Sequence, residues 1–308
     1  MLNPSFPKMV SELGEFRYIL PEHLATSALR QNYCTTTGPE LRLQKAYTYE
    51  IWKKMNSLGL DELRWSETKV LDACCGTGFL SYHLLSVVKP LELTLVDASE
   101  SELREAEKLL MAKFHQIPVK FLQMDLLRNS FEPESFDLVI GNSFLHHLYN
   151  VPLALSEFRR LLRPGGFFVT LHEPTAAAVA YESGSLRLTL RYFRYGAEYI
   201  EDLRKEDTDN AFTYGADVWL FRQQDLKNLF SDAGFEGVVI NNWHILRTFA
   251  VAKMKLHLDA AKRSLARWEE GLLRVSVLGD SILNKFLPSG AFGSFSLLAQ
   301  KPQSCEGK

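Results

Sequence analysis

The sequence predicts an α/β fold, and three observations carry that reading. Apolar runs that end in an acid alternate with helical patterns along the chain. The first such run, Lys69-Val-Leu-Asp72, passes into a glycine-rich turn, Ala73-Cys-Cys-Gly-Thr-Gly78. A helical pattern with Leu80, Leu84 and Leu85 on its buried face follows at once. Gly76 and Gly78 let the backbone of the turn approach a ligand closely, so the layout builds a nucleoside-binding edge.

Taken alone, Gly76-Thr-Gly78-Phe-Leu-Ser81 also fits a dinucleotide-binding turn. Asp72 decides between the two. A pyrophosphate at a helix N-terminus gains from positive potential and is repelled by a carboxylate just before the loop. A cationic ligand is attracted by one. S-Adenosylmethionine carries a sulfonium and an ammonium, so an acid followed by a glycine turn suits it better than NAD.

Further landmarks follow in order. Leu93-Thr-Leu-Val-Asp97 is a second apolar run ending in an acid, close to the offset of roughly 20 residues at which an acid reaches ribose hydroxyls. Ser99-Glu-Ser-Glu102 opens a helix as a capping box. Then come Val119-Lys-Phe-Leu-Gln-Met-Asp125-Leu126, Phe136-Asp-Leu-Val-Ile-Gly-Asn142 and Leu161-Leu-Arg-Pro-Gly-Gly166-Phe-Phe-Val-Thr-Leu171. On these residues the stretch 69–171, resumed at 221–240, resembles the class I S-adenosylmethionine-dependent methyltransferases.

That resemblance implies a Rossmann-like seven-stranded sheet with its last strand antiparallel, N-terminal helices and two mainly helical inserts. It implies S-adenosylmethionine as cofactor, with Asp97 on the ribose and Asp125 on the adenine amino group. The implied contacts are Asp72, Cys74, Gly76, Gly78, Asp97, Ala98, Asp125, Leu126 and Asn142. Cys74 stands where the family usually has the first glycine of the loop. The ubiquinone and menaquinone methyltransferases tolerate a similar Cys-Cys-Gly-Thr-Gly run, so the departure bears on the subfamily more than on the family.

The expected organisation is an N-terminal helical segment at 1–68 and a cofactor-binding core at 69–172, continued at 213–243. A lid insert occupies 173–212 and a helical cap insert 244–290. The last core strand follows at 291–301, with a tail at 302–308. In the N-terminal segment, aromatics such as Tyr18, Tyr33, Tyr49 and Trp52 are available either for packing or to shield a sulfonium. In the lid, Arg187, Arg191 and Arg194 share a helical face that holds a substrate anion if turned inward and is a solvated stripe if not. In the cap, Phe249, Met254, Leu258, Leu265, Trp268 and Leu272 recur at near-helical spacing among basic residues. Asp259, Glu269 and Glu270 dilute that basic face, which favours a cap or a homodimer contact over a membrane role.

Composition narrows the classes further. At 308 residues and 46% hydrophobic, the chain can bury a large core. A formal net charge of -2 argues against a general nucleic-acid binder, which needs concentrated positive charge. Cys34, Cys74, Cys75 and Cys305 lack the spacing of a disulfide framework or a metal site and fit a reducing cytoplasm. No apolar stretch is long enough for a membrane span, and the first residues carry no export pattern.

Methyl transfer needs little from the protein beyond alignment and exclusion of water, because the sulfonium already activates the methyl group. A base matters when the acceptor arrives protonated. The candidates lie beyond the fourth and fifth strands: His172 and Glu173 in Leu171-His-Glu-Pro174, then His147 in Asn142-Ser-Phe-Leu-His-His-Leu148. Each could equally serve to bond a loop, and Tyr214 is a further candidate for orienting a polar substrate group. The expected function is methylation of a small acceptor such as a natural-product scaffold. Alternatives are a decarboxylase or cyclase on the same fold, or a non-catalytic cofactor-binding partner subunit.

Overall fold

Seven strands form one sheet in the order β4-β3-β2-β5-β6-β9-β8 in this computed structural model, which describes residues 17–18, 44–148, 150–175, 219–221, 223–243, 245–246, 267–287 and 291–303. The strands are β2 (Lys69–Ala73), β3 (Glu92–Asp97), β4 (Val119–Gln123), β5 (Phe136–Asn142), β6 (Leu162–Pro174), β8 (Glu236–Trp243) and β9 (Ser294–Gln300). Strands β2 to β6 pair in parallel, and β9 runs antiparallel to both β6 and β8. The last strand is therefore the reversed one, as expected. The helices are α1 (Gln44–Ser57), α2 (Phe79–Leu85), α3 (Glu100–Phe114), α4 (Val151–Leu161), α5 (Gln223–Asp232) and α6 (Arg267–Leu283).

Burial explains the strand sequences. In the middle of a parallel sheet both faces are covered, so a strand reads as a continuous apolar run rather than an alternation. Val70, Leu71, Leu93, Leu95, Leu138, Val139 and Ile140 are all fully buried. At the edge, β4 alternates Val119, Phe121 and Gln123 with Lys120 and Leu122 and is only partly covered. One face of the sheet packs on α4 and α5 through Phe144, Phe158, Phe168, Phe230 and Phe235, with Phe158 stacked on Phe168 at 5.2 Å between ring centroids. The other face packs on α1, α2 and α3 through Ile51, Met55, Leu80, Leu84 and Leu110.

The capping box forms by half. The Ser99 side chain accepts a hydrogen bond from Glu102 N at 3.4 Å, but Ser99 N donates to Asp97 Oδ1 at 2.9 Å. Glu102 has no return bond to make, and its buried Oε1 has no partner among the described residues.

A bulge in β6 reverses the faces of its last residues. Thr170 pairs with Leu297 and Glu173 with Phe295, so one extra residue stands on the β6 side. His172 takes up the difference in the left-handed region, at φ 60°. Before the bulge Phe168 faces the α4 side and Val169 and Leu171 face the α1 side. After it, His172 reaches Glu50 on α1 while Glu173 joins the turn on the α4 side.

Within the N-terminal segment, α1 is helical as expected, whereas Arg17–Tyr18 (β1) is extended and pairs antiparallel with Trp219–Leu220 (β7). Partners distant in sequence set that pairing, and local pattern does not register them. Arg187, Arg191, Arg194, Tyr214, Tyr33 and the first part of the cap stretch, Phe249 to Leu265, lie outside the described residues. No helix among the described residues is long and apolar enough to cross a membrane.

Gly141, near the end of β5, has no space for a side chain: an added Cβ would meet the Phe144 ring at 2.4 Å and Ala73 O at 2.9 Å. Gly141→Ala is expected to destabilise the protein by about 1–3 kcal/mol through overpacking, measured by denaturant unfolding.

Candidate active site

The order of the sheet changes direction at β2, with β3 and β4 to one side and β5 and β6 to the other. In open α/β sheets ligands bind in the crevice outside the carboxyl ends of the strands at such a point. Three non-glycine residues with left-handed backbone stand at this edge, one per strand: Cys74 after β2 (φ 53°), Ser143 after β5 (φ 56°) and His172 in β6 (φ 60°). Such residues cost of order 1–3 kcal/mol each and cluster at functional sites.

The glycine turn carries the same demand. Gly76 and Gly78 have φ of 52° and 75°. Cys74 occupies a position whose backbone favours glycine, which gives a conformational reason for the glycine the family usually has there. The turn is tied by Cys75 N to Val96 O and by Gly78 N to Cys75 O, both at 3.0 Å. An added Cβ at Gly78 would stand 2.9 Å from Ala106 Cβ, so the bare glycine lets the turn sit directly on α3.

Four acids converge on this turn. Asp72 is 1% exposed; its Oδ2 accepts from Ser81 Oγ at 2.5 Å and its Oδ1 has no partner among the described residues. Burial pushes its carboxyl up, the Ser81 hydrogen bond pulls against that and the nearby Asp97 adds to it, leaving it at about 7. Asp97 accepts from Gly76 N at 2.8 Å through Oδ2, so the acid ending β3 fixes the turn after β2. Asp125 caps the short turn Leu126–Arg128 by accepting from Leu127 N at 2.9 Å, and Leu126 is buried beneath it. Ala98 O accepts from Gln123 Nε2 at 3.1 Å, which joins the ends of β3 and β4. Glu102, the acid of the capping box, also approaches: a Cβ on Gly76 would lie 3.8 Å from its Oε2. Burial, then Asp97 and Glu105, raise the Glu102 carboxyl above its usual value.

The two cysteines are free thiols. Burial pushes both up, and Asp97 and Asp72 push in the same direction, so they stay protonated and are poor nucleophiles.

Across the crevice, Glu173 is fully buried and every bond it makes is internal. Its Oε1 accepts from Phe144 N at 3.2 Å, Leu145 N at 3.0 Å and Thr170 Oγ1, while Oε2 accepts from His146 N at 3.2 Å and pairs with His146 Nδ1 at 2.7 Å. Burial alone would raise its carboxyl, but the charge of His146 and the hydrogen bonds from His146, Thr170 and Leu145 outweigh it and hold the group below its usual value. The ring of His147 lies against that of His146, with centroids 3.9 Å apart, and its backbone N donates to Phe144 O at 3.0 Å. His172 places Nδ1 2.5 Å from Asn142 Oδ1 and Nε2 2.7 Å from Glu50 Oε1. The structure thus brings Asp72, Cys74, Gly76, Gly78, Asp97, Ala98, Asp125 and Leu126 to the ends of β2, β3 and β4, with Asn142, His147, His172 and Glu173 at the ends of β5 and β6. Glu50, Ser81 and Glu102 join them, although none of the three is among the site residues expected from the sequence.

These features fit a cationic nucleoside. Acids gather at the turn, and two of them, Asp72 and Glu102, carry a buried oxygen with no partner among the described residues; burial raises both carboxyls. Residues 70–166 match the model of a methyltransferase domain. Over 212 residues, 68% of this chain and 82% of the relative, the chain is 29% identical to the demethylmenaquinone methyltransferase of Staphylococcus aureus. Phosphoethanolamine N-methyltransferase 2 of Haemonchus contortus, solved with S-adenosylhomocysteine, shares the fold: TM-score 0.53 and 18% identity over 91% of this chain and 61% of that one. The same enzyme solved with S-adenosyl-L-methionine gives a TM-score of 0.50 at 18% identity, over 84% of this chain and 57% of that one. Under two thirds of the Haemonchus chain is therefore spanned. Residues 70–166 thus form a methyltransferase domain, set in the Rossmann-like fold of the S-adenosylmethionine-dependent methyltransferases.

Removing Glu173 leaves three backbone N–H groups and the His146 ring without their acceptor. Glu173→Ala is expected to cost about 3–5 kcal/mol of unfolding free energy, read by denaturant titration. Asp72 links stability and binding to pH. Its folded value of about 7 lies above the unbound carboxyl's 3.8. The stability of keeping it neutral is complete below pH 3.8 and is lost as pH rises through about 7. A bound cation reverses that preference. Cofactor affinity measured by calorimetry should rise between about pH 6 and pH 8, and Asp72→Asn should flatten the rise. The same variant should stabilise the ligand-free protein at pH 8 by about 1–4 kcal/mol.

Proposed function

We propose that the protein methylates a small-molecule acceptor with an apolar body, such as a quinone-type metabolite or a natural-product scaffold. Two facts support the acceptor class. The S. aureus relative is named for demethylmenaquinone, and the alignment runs through most of both chains. The formal net charge of -2 leaves little attraction for a polyanionic substrate. Cysteines without a disulfide framework favour the cytoplasm as its compartment.

The observation that carries the assignment of the cofactor residues is the buried Asp72 carboxylate with its orphaned oxygen beside a glycine turn. In this reading Asp72 faces the positive end of the cofactor, and Cys74, Gly76 and Gly78 supply the close backbone. Asp97 and Ala98 take the ribose end, Asp125 and Leu126 the adenine end, and Asn142 the side next to the acceptor. When bound, the cofactor would supply an electrophilic methyl carbon to an electron pair of the acceptor, its sulfur keeping the electrons of the S–CH3 bond. The chain's own part is to align the acceptor and exclude water.

Of the three base candidates, Glu173 is spent on internal bonds and His172 has both ring nitrogens against oxygens. His147, half-buried on the turn after β5, is the one we assign to receive the acceptor's proton where one must be removed.

A panel of phenols, hydroquinones, carboxylates and amines, with S-adenosylhomocysteine as the detected product, tests the acceptor class. Turnover confined to amines or carboxylates would overturn it. Asp97→Ala should weaken cofactor binding by about 1.5–3 kcal/mol in calorimetry, through lost ribose bonds and a loosened Gly76. An unchanged affinity would remove Asp97 from the site.

A further inference from the structure

A buried chain of polar groups runs from the N-terminal helix to the crevice. Lys54 Nζ and Glu50 Oε1 lie 2.9 Å apart on successive turns of α1, with side chains 0% and 3% exposed. The same Glu50 oxygen is 2.7 Å from His172 Nε2, and His172 Nδ1 is 2.5 Å from Asn142 Oδ1. Asn142 is the last residue of β5, which lies beside β2.

The donor inventory fixes most of this chain. An ionised carboxylate only accepts, so Nε2 must carry a proton and give it to Glu50. Buried charge pairs are expensive unless fully bonded, and Lys54 keeps Glu50 ionised. With the Asn142 amide oxygen turned towards it, Nδ1 must donate too, so this arrangement calls for an imidazolium with no lone pair to offer a substrate. Among the described residues, the titratable groups brought to it are Glu50 and Lys54 from α1 and His83 from α2; Glu173, the next residue, is paired with His146 on the opposite side. His83 is itself lowered to about 4, first by burial, with Glu50 opposing and the positive charges of Lys113 and His172 adding to it. With its oxygen held by His172, the Asn142 amide has one orientation, and its Nδ2 makes no hydrogen bond among the described residues.

We propose that Glu50 is a positioning residue for methyl transfer: through the His172 imidazolium it locks the Asn142 amide so that Nδ2–H is presented to the crevice as a donor. The bulge of β6 is what allows it, because it turns His172 to the α1 side while leaving Asn142 within reach. The helix α1, outside the core that matches the methyltransferase domain, thereby takes part in setting the site. This rests on the proposed place of Asn142 beside the acceptor.

The test has a readout without turnover. Nitrogen-15 spectra of the His172 ring in the parent at pH 7.5 should show both nitrogens protonated, and in Glu50→Gln a neutral ring. A neutral ring in the parent overturns the proposal, whatever acceptor the enzyme uses. With an acceptor from the panel, Glu50→Gln should lower kcat by about 10–100-fold, with cofactor affinity held within about twofold. Its activity should fall towards alkaline pH where the parent's does not. Glu50→Asp should recover part of the loss. Adding Asn142→Ala to Glu50→Gln should cost nothing beyond the worse single change, whereas multiplying losses would show the two residues to be independent. Because Glu50→Gln leaves Lys54 buried without its partner, the pair Glu50→Gln with Lys54→Met keeps the test valid if the single variant does not fold. Loss of cofactor affinity in step with kcat in that pair would reduce Glu50 to a structural role.

Discussion

Negative charge without an internal partner governs this molecule. Asp72 is buried at the end of the central strand with one oxygen unbonded, and the acid nearest to it, Asp97, has committed itself to the backbone of the glycine turn. A folded chain seldom leaves a carboxylate in that condition, since desolvation favours the neutral form and costs stability once the group ionises. The position makes sense when the missing partner is a ligand that arrives with its own positive charge. The thiols of Cys74 and Cys75 fall under the same field. They are kept protonated, which makes them poor nucleophiles.

The opposite wall of the crevice is organised by satisfied charge. Glu173 ties the turn after β5 with backbone and side-chain bonds, and His146 neutralises it. That turn carries His147, and the left-handed Ser143 precedes it with its N–H donated to Leu171 O at 2.7 Å. One wall thus waits for a cation and the other is rigid in advance. Alignment of an acceptor against a fixed donor needs both properties, because a small displacement of the reacting atoms is costly in rate.

Much of the fold was legible because its signals are local. Continuous apolar runs marked the buried strands, acids marked their ends, and Gly76 and Gly78 marked the turn. The order of these landmarks carried the resemblance, and the resemblance implied the sheet and its reversed last strand. What stayed hidden depends on contacts between distant residues. In Leu171-His-Glu-Pro174 strict alternation sets Glu173 on the α1 side of β6; the single extra residue in the bulge moves it to the other side and spends it on the turn after β5. Glu50 meets His172 only through tertiary packing, so no motif flags it. Glu102 fits a capping box in sequence, yet Ser99 N is taken by Asp97 before Glu102 can claim it.

The cysteine at the first loop position follows from the same balance of local strain against packing. At φ 53° a glycine relaxes freely, while a side chain costs of order 1–3 kcal/mol. Cys74 offsets part of that cost by packing against the apolar cluster of Leu71, Leu145 and Phe158, where a glycine would leave space unfilled. A larger residue would carry the same backbone strain and would also need room beside Asp72 and Asp97. A small apolar thiol meets the steric demand without adding charge, so the departure from glycine leaves the electrostatics of the turn unchanged. The loop keeps its shape because the hydrogen bonds of Cys75 N and Gly76 N flank the strained residue on the C-terminal side and β2 holds it on the other.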